Sequence, residues 1–67
     1  MDAKIIGARL RTLRESNGLS RSDCAVACGV SVSAWQMYEN GERIPRDQVK
    51  LKVAEMFNKP VGEIFFE

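Results

Sequence analysis

Two cysteines and nine carboxylates are the side chains of this sequence best suited to reactive chemistry, and histidine is absent. Cys24 and Cys28 lie four residues apart, so both would face one side of a helix. Without histidine they supply too few ligands for a zinc site, and an i,i+4 pair is badly oriented for a disulfide. We therefore interpret both as small buried hydrophobic residues. With no exposed activated cysteine and no paired-carboxylate cleft indicated, the pattern argues against an enzyme and against a metal site.

Side chains suited to binding are concentrated between Leu19 and Arg46, in the stretch LSRSDCAVACGVSVSAWQMYENGERIPR. This stretch predicts two short helices around a tight turn at Gly29, followed by a basic loop. Helix N-termini and arginines bind phosphates, and amide side chains such as Gln36 read the edges of bases. Two helices joined in this way form a rod that fits the major groove of DNA.

Charge is distributed unevenly along the chain, although the net charge is only +1. Residues 1–21 carry five basic side chains against two acidic ones, and residues 43–52 carry four against one, so each segment has a net charge of +3. Residues 53–67 carry one basic side chain against three acidic ones, a net charge of −2. The basic segments favour a nucleic-acid partner, whereas an ordinary mixed surface is the alternative.

Apolar spacing predicts five helices with short connections, at about residues 3–16, 20–27, 31–39, 46–57 and 60–65. Ile6, Leu10 and Leu13 recur on one face of the first helix. Ser20 and Ser31 are suited to cap the second and third helices. No stretch alternates with period two for long enough to predict a sheet, so we expect an all-α fold.

A length of 67 residues supports one domain, 1–67, with a small core. A hydrophobic fraction of 45% fits a folded globule. The apolar runs are too short for a membrane span, and no signal peptide is visible. We therefore expect a cytoplasmic protein without a membrane partner.

Three segments, in order, are IGARLRTLRESNGLS, GVSVSAWQMYENGERIP and VAEMFNKPVGEIF. They resemble the phage-repressor and Cro-like helix-turn-helix proteins, the XRE family. The first looks like that family's first helix and the start of its second, the next like its turn, recognition helix and following loop, and the third like its last two helices. The resemblance covers nearly the whole chain. It implies a compact five-helix, lambda-repressor-like domain whose second and third helices form the helix-turn-helix.

Several framework residues acquire a role from this resemblance. Ala25 lets the second and third helices cross closely, Gly29 occupies the turn, and Val30 and Trp35 anchor the recognition helix. The family often has an aliphatic residue at the position of Trp35. We favour core packing for this tryptophan, and base stacking is the alternative.

Arg14 and Glu39 match a pair that forms a partly buried salt bridge in the family. The bridge would clamp the recognition helix at a fixed angle. Two solvated charges that contribute little to stability are the alternative.

The resemblance also implies which residues face the DNA. The predicted base-reading positions are Val32, Ser33, Gln36 and Met37. Among them only Gln36 is a good bidentate reader, best suited to adenine, while Val32 and Met37 suit thymine methyl groups, so we expect modest specificity biased toward A·T steps. The predicted phosphate contacts are Ser20, Arg21, Ser31, Asn40, Arg43 and Arg46.

These features together predict a sequence-specific regulator of transcription that binds double-stranded DNA, most simply a repressor occupying a palindromic operator as a homodimer. Activation through contact of acidic residues with polymerase is the alternative to repression. The candidate dimer residues are Leu51, Val61, Ile64, Phe65 and Phe66. The alternative is that Phe65 and Phe66 only close the core. No cofactor or small-molecule ligand is indicated.

Two other functions remain open at this point. One is a controller or antitoxin protein of the same fold. The other is a protein-interaction module with weak or no DNA binding, which Val32, Met37 and the near-neutral charge favour.

Overall fold

Five helices account for most of the chain in the computed structural model, which describes residues 2–66. Met1 and Glu67, the outermost residues of the predicted 1–67 domain, lie outside the described residues, as does the charge that Glu67 adds to the acidic end. The helices are α1 (Ala3–Ser16), α2 (Arg21–Cys28), α3 (Val32–Glu39), α4 (Asp47–Phe57) and α5 (Val61–Phe65). No strand occurs within residues 2–66, which confirms the all-α class.

N-cap residues set where the helices begin. The last four helices start one residue later than predicted, because Ser20, Ser31, Arg46 and Pro60 have extended backbones and cap the helices from outside. At α2 the cap is reciprocal: Ser20 Oγ accepts from the Asp23 N–H at 3.0 Å, and Asp23 Oδ2 accepts from the Ser20 N–H at 2.9 Å. This capping box fixes the start of α2.

The core is a single cluster to which all five helices contribute. Its buried hydrophobic residues are Ile6, Leu10, Cys24, Ala25, Cys28, Trp35, Tyr38, Val49, Val53, Ala54, Phe57, Ile64 and Phe65. Trp35 has no exposed surface and packs edge to face on Tyr38, with ring centroids 6.1 Å apart. The structure therefore favours core packing over base stacking for this tryptophan.

Two of the five predicted dimer residues belong to this core. Ile64 and Phe65 are 1% and 2% exposed, because α5 packs against both α4 and α1 and turns these side chains inward. Their prediction as dimer-surface residues is wrong. Leu51 and Phe66 are 62% and 55% exposed, and Val61 is partly buried against the core.

Both predicted core cysteines are buried free thiols. Burial raises the pKa of the Cys24 thiol to about 11, and burial also raises the pKa of the Cys28 thiol. Both side chains are therefore neutral at physiological pH and act as small apolar residues.

A glycine permits α1 to approach the end of α3 closely. A Cβ at Gly7 would lie 2.6 Å from the Tyr38 carbonyl oxygen and closer still to the Glu39 carbonyl oxygen. Only a residue without a side chain fits there. Within residues 2–66, no helix combines the length and apolar character needed to cross a membrane.

Candidate nucleic-acid interface

The helix-turn-helix consists of α2, a three-residue turn and α3. Gly29 ends α2 with φ 68°, a left-handed conformation that favours glycine, and the Val30 N–H donates back to the Ala25 carbonyl at 3.0 Å. Ser31 then caps α3 by accepting from the Ala34 N–H at 3.0 Å. These local bonds set the angle at which α3 leaves the turn.

One face of α3 is open to solvent. Its side chains are those of Val32, Ser33, Gln36 and Met37, all of them exposed. Val32 and Met37 are large apolar side chains that are 45% and 41% exposed. The opposite face carries Trp35 and Tyr38 into the core, so the predicted base-reading residues lie together on the solvent-exposed side of α3. We call these four residues the reading face.

Glu39, on the last turn of α3, is a buried carboxylate. Its side chain has no exposed surface. Arg14 donates to it through Nε at 2.6 Å and through Nη2 at 3.3 Å, so the predicted ion pair is present and bidentate. Trp35 Nε1 donates to the same carboxylate at 2.6 Å. The tryptophan that departs from the family pattern therefore also supplies a hydrogen bond that an aliphatic residue would lack.

The charge of Glu39 is retained despite its burial. Burial by itself raises the pKa of this carboxyl group, but the hydrogen bonds from Arg14 and Trp35 outweigh that effect and lower the pKa below its ordinary value of 4.5. The pKa of Arg14 is raised, chiefly by its hydrogen bond to Glu39. Both groups are ionised at neutral pH, and together they clamp α3 to α1.

Two further arginines approach Glu39. Arg11 Nε lies 3.5 Å and Arg21 Nε lies 3.3 Å from Glu39 Oε1, while 45% and 42% of the two side chains remain exposed. Arg21 Nε is buried and makes no hydrogen bond within the described residues, so its approach to Glu39 is a charge contact without hydrogen-bond alignment. Sequence reasoning found Arg21 and missed Arg11.

The two serines predicted to contact phosphates cap neighbouring helices. Ser20 and Ser31 are exposed, and each Oγ accepts one backbone hydrogen bond. A hydroxyl that accepts one bond still has its own O–H to donate. Each N-cap therefore offers a donor beside the positive end of a helix dipole.

The predicted phosphate contact Asn40 is already engaged. Its backbone N–H donates to the Gln36 carbonyl at 3.0 Å. Its side chain donates to Glu42 Oε2 at 3.2 Å and accepts from Arg11 Nη2 at 3.4 Å. Asn40 also lines a depression of about 270 Å³ beside Gln36 and Met37, so it connects the reading face to Arg11.

The two loop arginines lie on the other flank of the turn. Arg43 and Arg46 are exposed, and with Ser31 and Tyr38 they line a depression of about 400 Å³. Arg43 and Arg46 therefore lie beside the turn, and Arg11 contacts Asn40 at the end of α3. The contact of Gly7 with the end of α3 was also missed from the sequence. An isolated glycine inside a helical pattern often marks a close packing contact, so the sequence held one signal for it.

Comparison with known proteins matches this chain to helix-turn-helix proteins. A family described as a helix-turn-helix domain matches residues 5–61. YazB of Bacillus subtilis, named as an uncharacterized HTH-type transcriptional regulator, is 33% identical over 64 residues, which are 96% of this chain and 93% of YazB. A helix-turn-helix-type transcriptional regulatory protein of Pyrococcus furiosus is 40% identical over 58 residues, but these span only 18% of that longer protein.

Solved structures have the same architecture. The restriction-modification controller protein C.AhdI from Aeromonas hydrophila is 33% identical and superimposes with a TM-score of 0.88, covering 96% of this chain and 97% of C.AhdI. The clp gene regulator ClgR from Corynebacterium glutamicum, at 22% identity, shares the fold with a TM-score of 0.87 over 96% of this chain and 68% of ClgR. Similarity over nearly its whole length shows that this chain belongs to the helix-turn-helix domain family, of the XRE-like type.

Proposed function

We propose that this chain is a sequence-specific double-stranded DNA-binding regulator of transcription that acts as a repressor on a palindromic operator. The observation that carries the proposal is the exposed reading face of α3, held by a buried ion pair and flanked by capped helix N-termini and arginines. The relatives named as transcriptional regulators support it. The proposal involves no catalytic step or cofactor, and it places the protein in the cytoplasm with the DNA that it binds.

Base recognition in this proposal depends chiefly on Gln36. Its amide can donate to N7 and accept from N6 of one adenine, whereas Val32 and Met37 contribute apolar contacts with thymine methyl groups. Ser33 hydrogen-bonds without strong preference. Phosphate contacts from both flanks then fix the register of α3 without choosing a sequence.

Homodimerisation supplies the affinity that one reading face lacks. A half-site read by two or three side chains binds weakly, and a two-fold dimer reads two half-sites one helical turn apart. Leu51 and Phe66 are the most exposed large apolar side chains of the C-terminal half and support a dimer surface there.

The test is selection of bound duplexes from a random pool, followed by affinity measurements against salt. We expect enriched inverted repeats and a steep fall of affinity with salt, about 0.9 in log K per phosphate contact per decade. Gln36→Ala should reduce discrimination between the selected duplex and its base-substituted form by about 1–3 kcal/mol. Lys59→Gln is the control, because Lys59 lies beside the face of α1 that is turned away from α3. Absent or salt-independent binding would favour the protein-interaction module.

A second candidate function is control of a restriction-modification system. The likeness to C.AhdI extends over nearly the full length of both chains and favours this role. A restriction endonuclease gene beside the gene for this chain, with the selected inverted repeat upstream of both, distinguishes this role from repression of unrelated genes.

A further inference from the structure

Three arginines converge on the buried carboxylate of Glu39, so the cations outnumber the buried anion that they surround. Arg14 alone pairs with both carboxylate oxygens and also donates to the Leu19 carbonyl at 3.1 Å. One bidentate partner balances one carboxylate. The charges of Arg11 and Arg21 are therefore not required to neutralise Glu39.

The other carboxylates near the cluster contact partners other than Arg11 and Arg21. Asp23 accepts from the Ser20 N–H, and Glu42 accepts from Asn40. Glu15 lies 3.8 Å from Arg14 and is exposed. Within residues 2–66, Glu39 is the only carboxylate that forms an ion pair with Arg11 or Arg21.

Arg11 and Arg21 contact Glu39 through the same part of the guanidinium group. Arg11 and Arg21 approach the same oxygen, Glu39 Oε1, and both do so through Nε. Contact through Nε leaves the terminal nitrogens of each fork free to bind another acceptor, apart from the Arg11 Nη2 contact with Asn40. Both guanidinium groups therefore lie against Glu39 Oε1, and 45% and 42% of the two side chains remain exposed.

The cluster borders the reading face. Arg11 contacts Asn40, which lines the same depression as Gln36 and Met37. Arg21 is the first residue of α2, immediately after the exposed N-cap Ser20. When a helix occupies the major groove, the residues on its flank meet the phosphates at the groove edge.

We propose that Arg11 and Arg21, which both lie against Glu39 Oε1, together bind one backbone phosphate of the DNA. Two planar forks on one phosphate form charge-assisted hydrogen bonds with defined geometry. This phosphate would be bound from α1 and α2, beside the carboxylate that pairs with Arg14 at the end of α3. This inference depends on the proposed DNA-binding function and adds Arg11 to the interface.

The test is the slope of log K against log salt for a mixed-sequence duplex. This slope is negative, and we expect the Arg11→Gln/Arg21→Gln double variant to reduce its magnitude by about 0.9, the value for one phosphate contact. Each single variant should lower it by less. Lys59→Gln should leave the slope unchanged, and thermal unfolding of every variant checks that it is folded at the temperature of the binding measurement.

The charge-preserving Arg11→Lys/Arg21→Lys variant separates the effect of the forked guanidinium geometry from the effect of charge. It should keep the slope but bind several-fold more weakly, because lysine lacks the fork. If the magnitude of the slope falls by about 1.8 in the Arg11→Gln/Arg21→Gln variant, the two arginines bind separate phosphates and the shared site is wrong. An unchanged slope would also overturn the shared site. If the unaltered chain binds no duplex, the proposed function fails together with this inference. If it binds steeply and the double variant retains its slope, only this inference fails.

Discussion

At the scale of single residues, Glu39 links the stability of this protein to its interface. A fully buried carboxylate persists because Arg14 and Trp35 both donate short hydrogen bonds to it. Loss of either partner would leave the buried charge of Glu39 less well compensated, and an uncompensated buried charge is costly. This cost is larger than the net stabilisation that the intact interaction provides. The consequence is a recognition helix fixed at one end by a charge network.

Arg14→Ala should lower the free energy of unfolding by about 3 kcal/mol, because it removes the bidentate partner of a buried carboxylate. Because Trp35, Arg11 and Arg21 remain near Glu39, we expect the loss of unfolding free energy to lie at the low end of the range for removing one partner of a buried ion pair. Urea unfolding at neutral pH measures it. Arg43→Ala, at an exposed loop position, is the matched control and should change little. An unaltered midpoint in Arg14→Ala would contradict a structural role for the pair.

Acid should destabilise the protein through Glu39. Its pKa is lowered in the folded state, so between the folded and unfolded pKa values the unfolded chain binds the additional proton. The stabilisation is complete above the ordinary value of 4.5 and is lost as pH falls through the lowered folded value. Urea midpoints measured down this pH range should fall less steeply in Glu39→Gln than in the unaltered chain. Glu55→Gln, at an exposed carboxylate of α4, serves as the control. Equal acid dependence in all three proteins would count against the assignment.

At the scale of elements, the position of α3 depends on how closely α1 can approach its end. Gly7 lies against the backbone carbonyls of Tyr38 and Glu39, so the two helices touch through main chain as well as side chains. Capping at Ser20 and Ser31 fixes the other end of the motif. The reading face is thus oriented at both ends of α3.

Gly7→Ala should destabilise the fold by about 1–3 kcal/mol, because the new Cβ would overlap backbone atoms that cannot rotate away. Alanine is otherwise the better helix former, so the sign of the change is informative. Gly62→Ala in α5, where a Cβ would meet nothing within 4 Å, is the control and should be neutral or slightly stabilising. Thermal unfolding compares the two. A stabilised Gly7→Ala variant would show that α1 and α3 are not in close backbone contact.

At the scale of the whole molecule, the large apolar side chains near the C-terminus are divided between the core and the surface. Ile64 and Phe65 close the core, while Leu51 and Phe66 remain exposed on α4 and just after α5. Lys50 Nζ lies 5.7 Å from the ring centroids of both Phe65 and Phe66, so a cation borders this apolar region. These exposed residues are the ones on which the proposed dimer depends.

Leu51→Ser and Phe66→Ser should each weaken the proposed homodimer without emptying the core, because both side chains are on the surface. Burial of one such side chain contributes about 1.5–3 kcal/mol, so the dissociation constant should rise at least about tenfold. Sedimentation equilibrium over a range of concentrations, with and without DNA, measures this. Val26→Ser, at an exposed position on α2, is the control. A monomer mass at every concentration of the unaltered chain would rule the dimer out.

The sequence by itself determined the helical class, the order of the five helices and the exposed reading face. Apolar periodicity, cap residues and glycines act locally, so the pattern around Ser31 and Gly29 already specifies the turn. Spacing also separated Trp35 from Gln36, because neighbouring residues on a helix face different sides.

Only the tertiary structure decided which long-range contacts form. It turned Ile64 and Phe65 into the core, brought Arg11 and Arg21 to Glu39, and pressed Gly7 against the end of α3. These outcomes depend on distances between helices that are remote in sequence, and local periodicity carries no information about such distances. The residues available to read DNA could therefore be predicted from the chain, whereas the arrangement of charges that holds them required the fold.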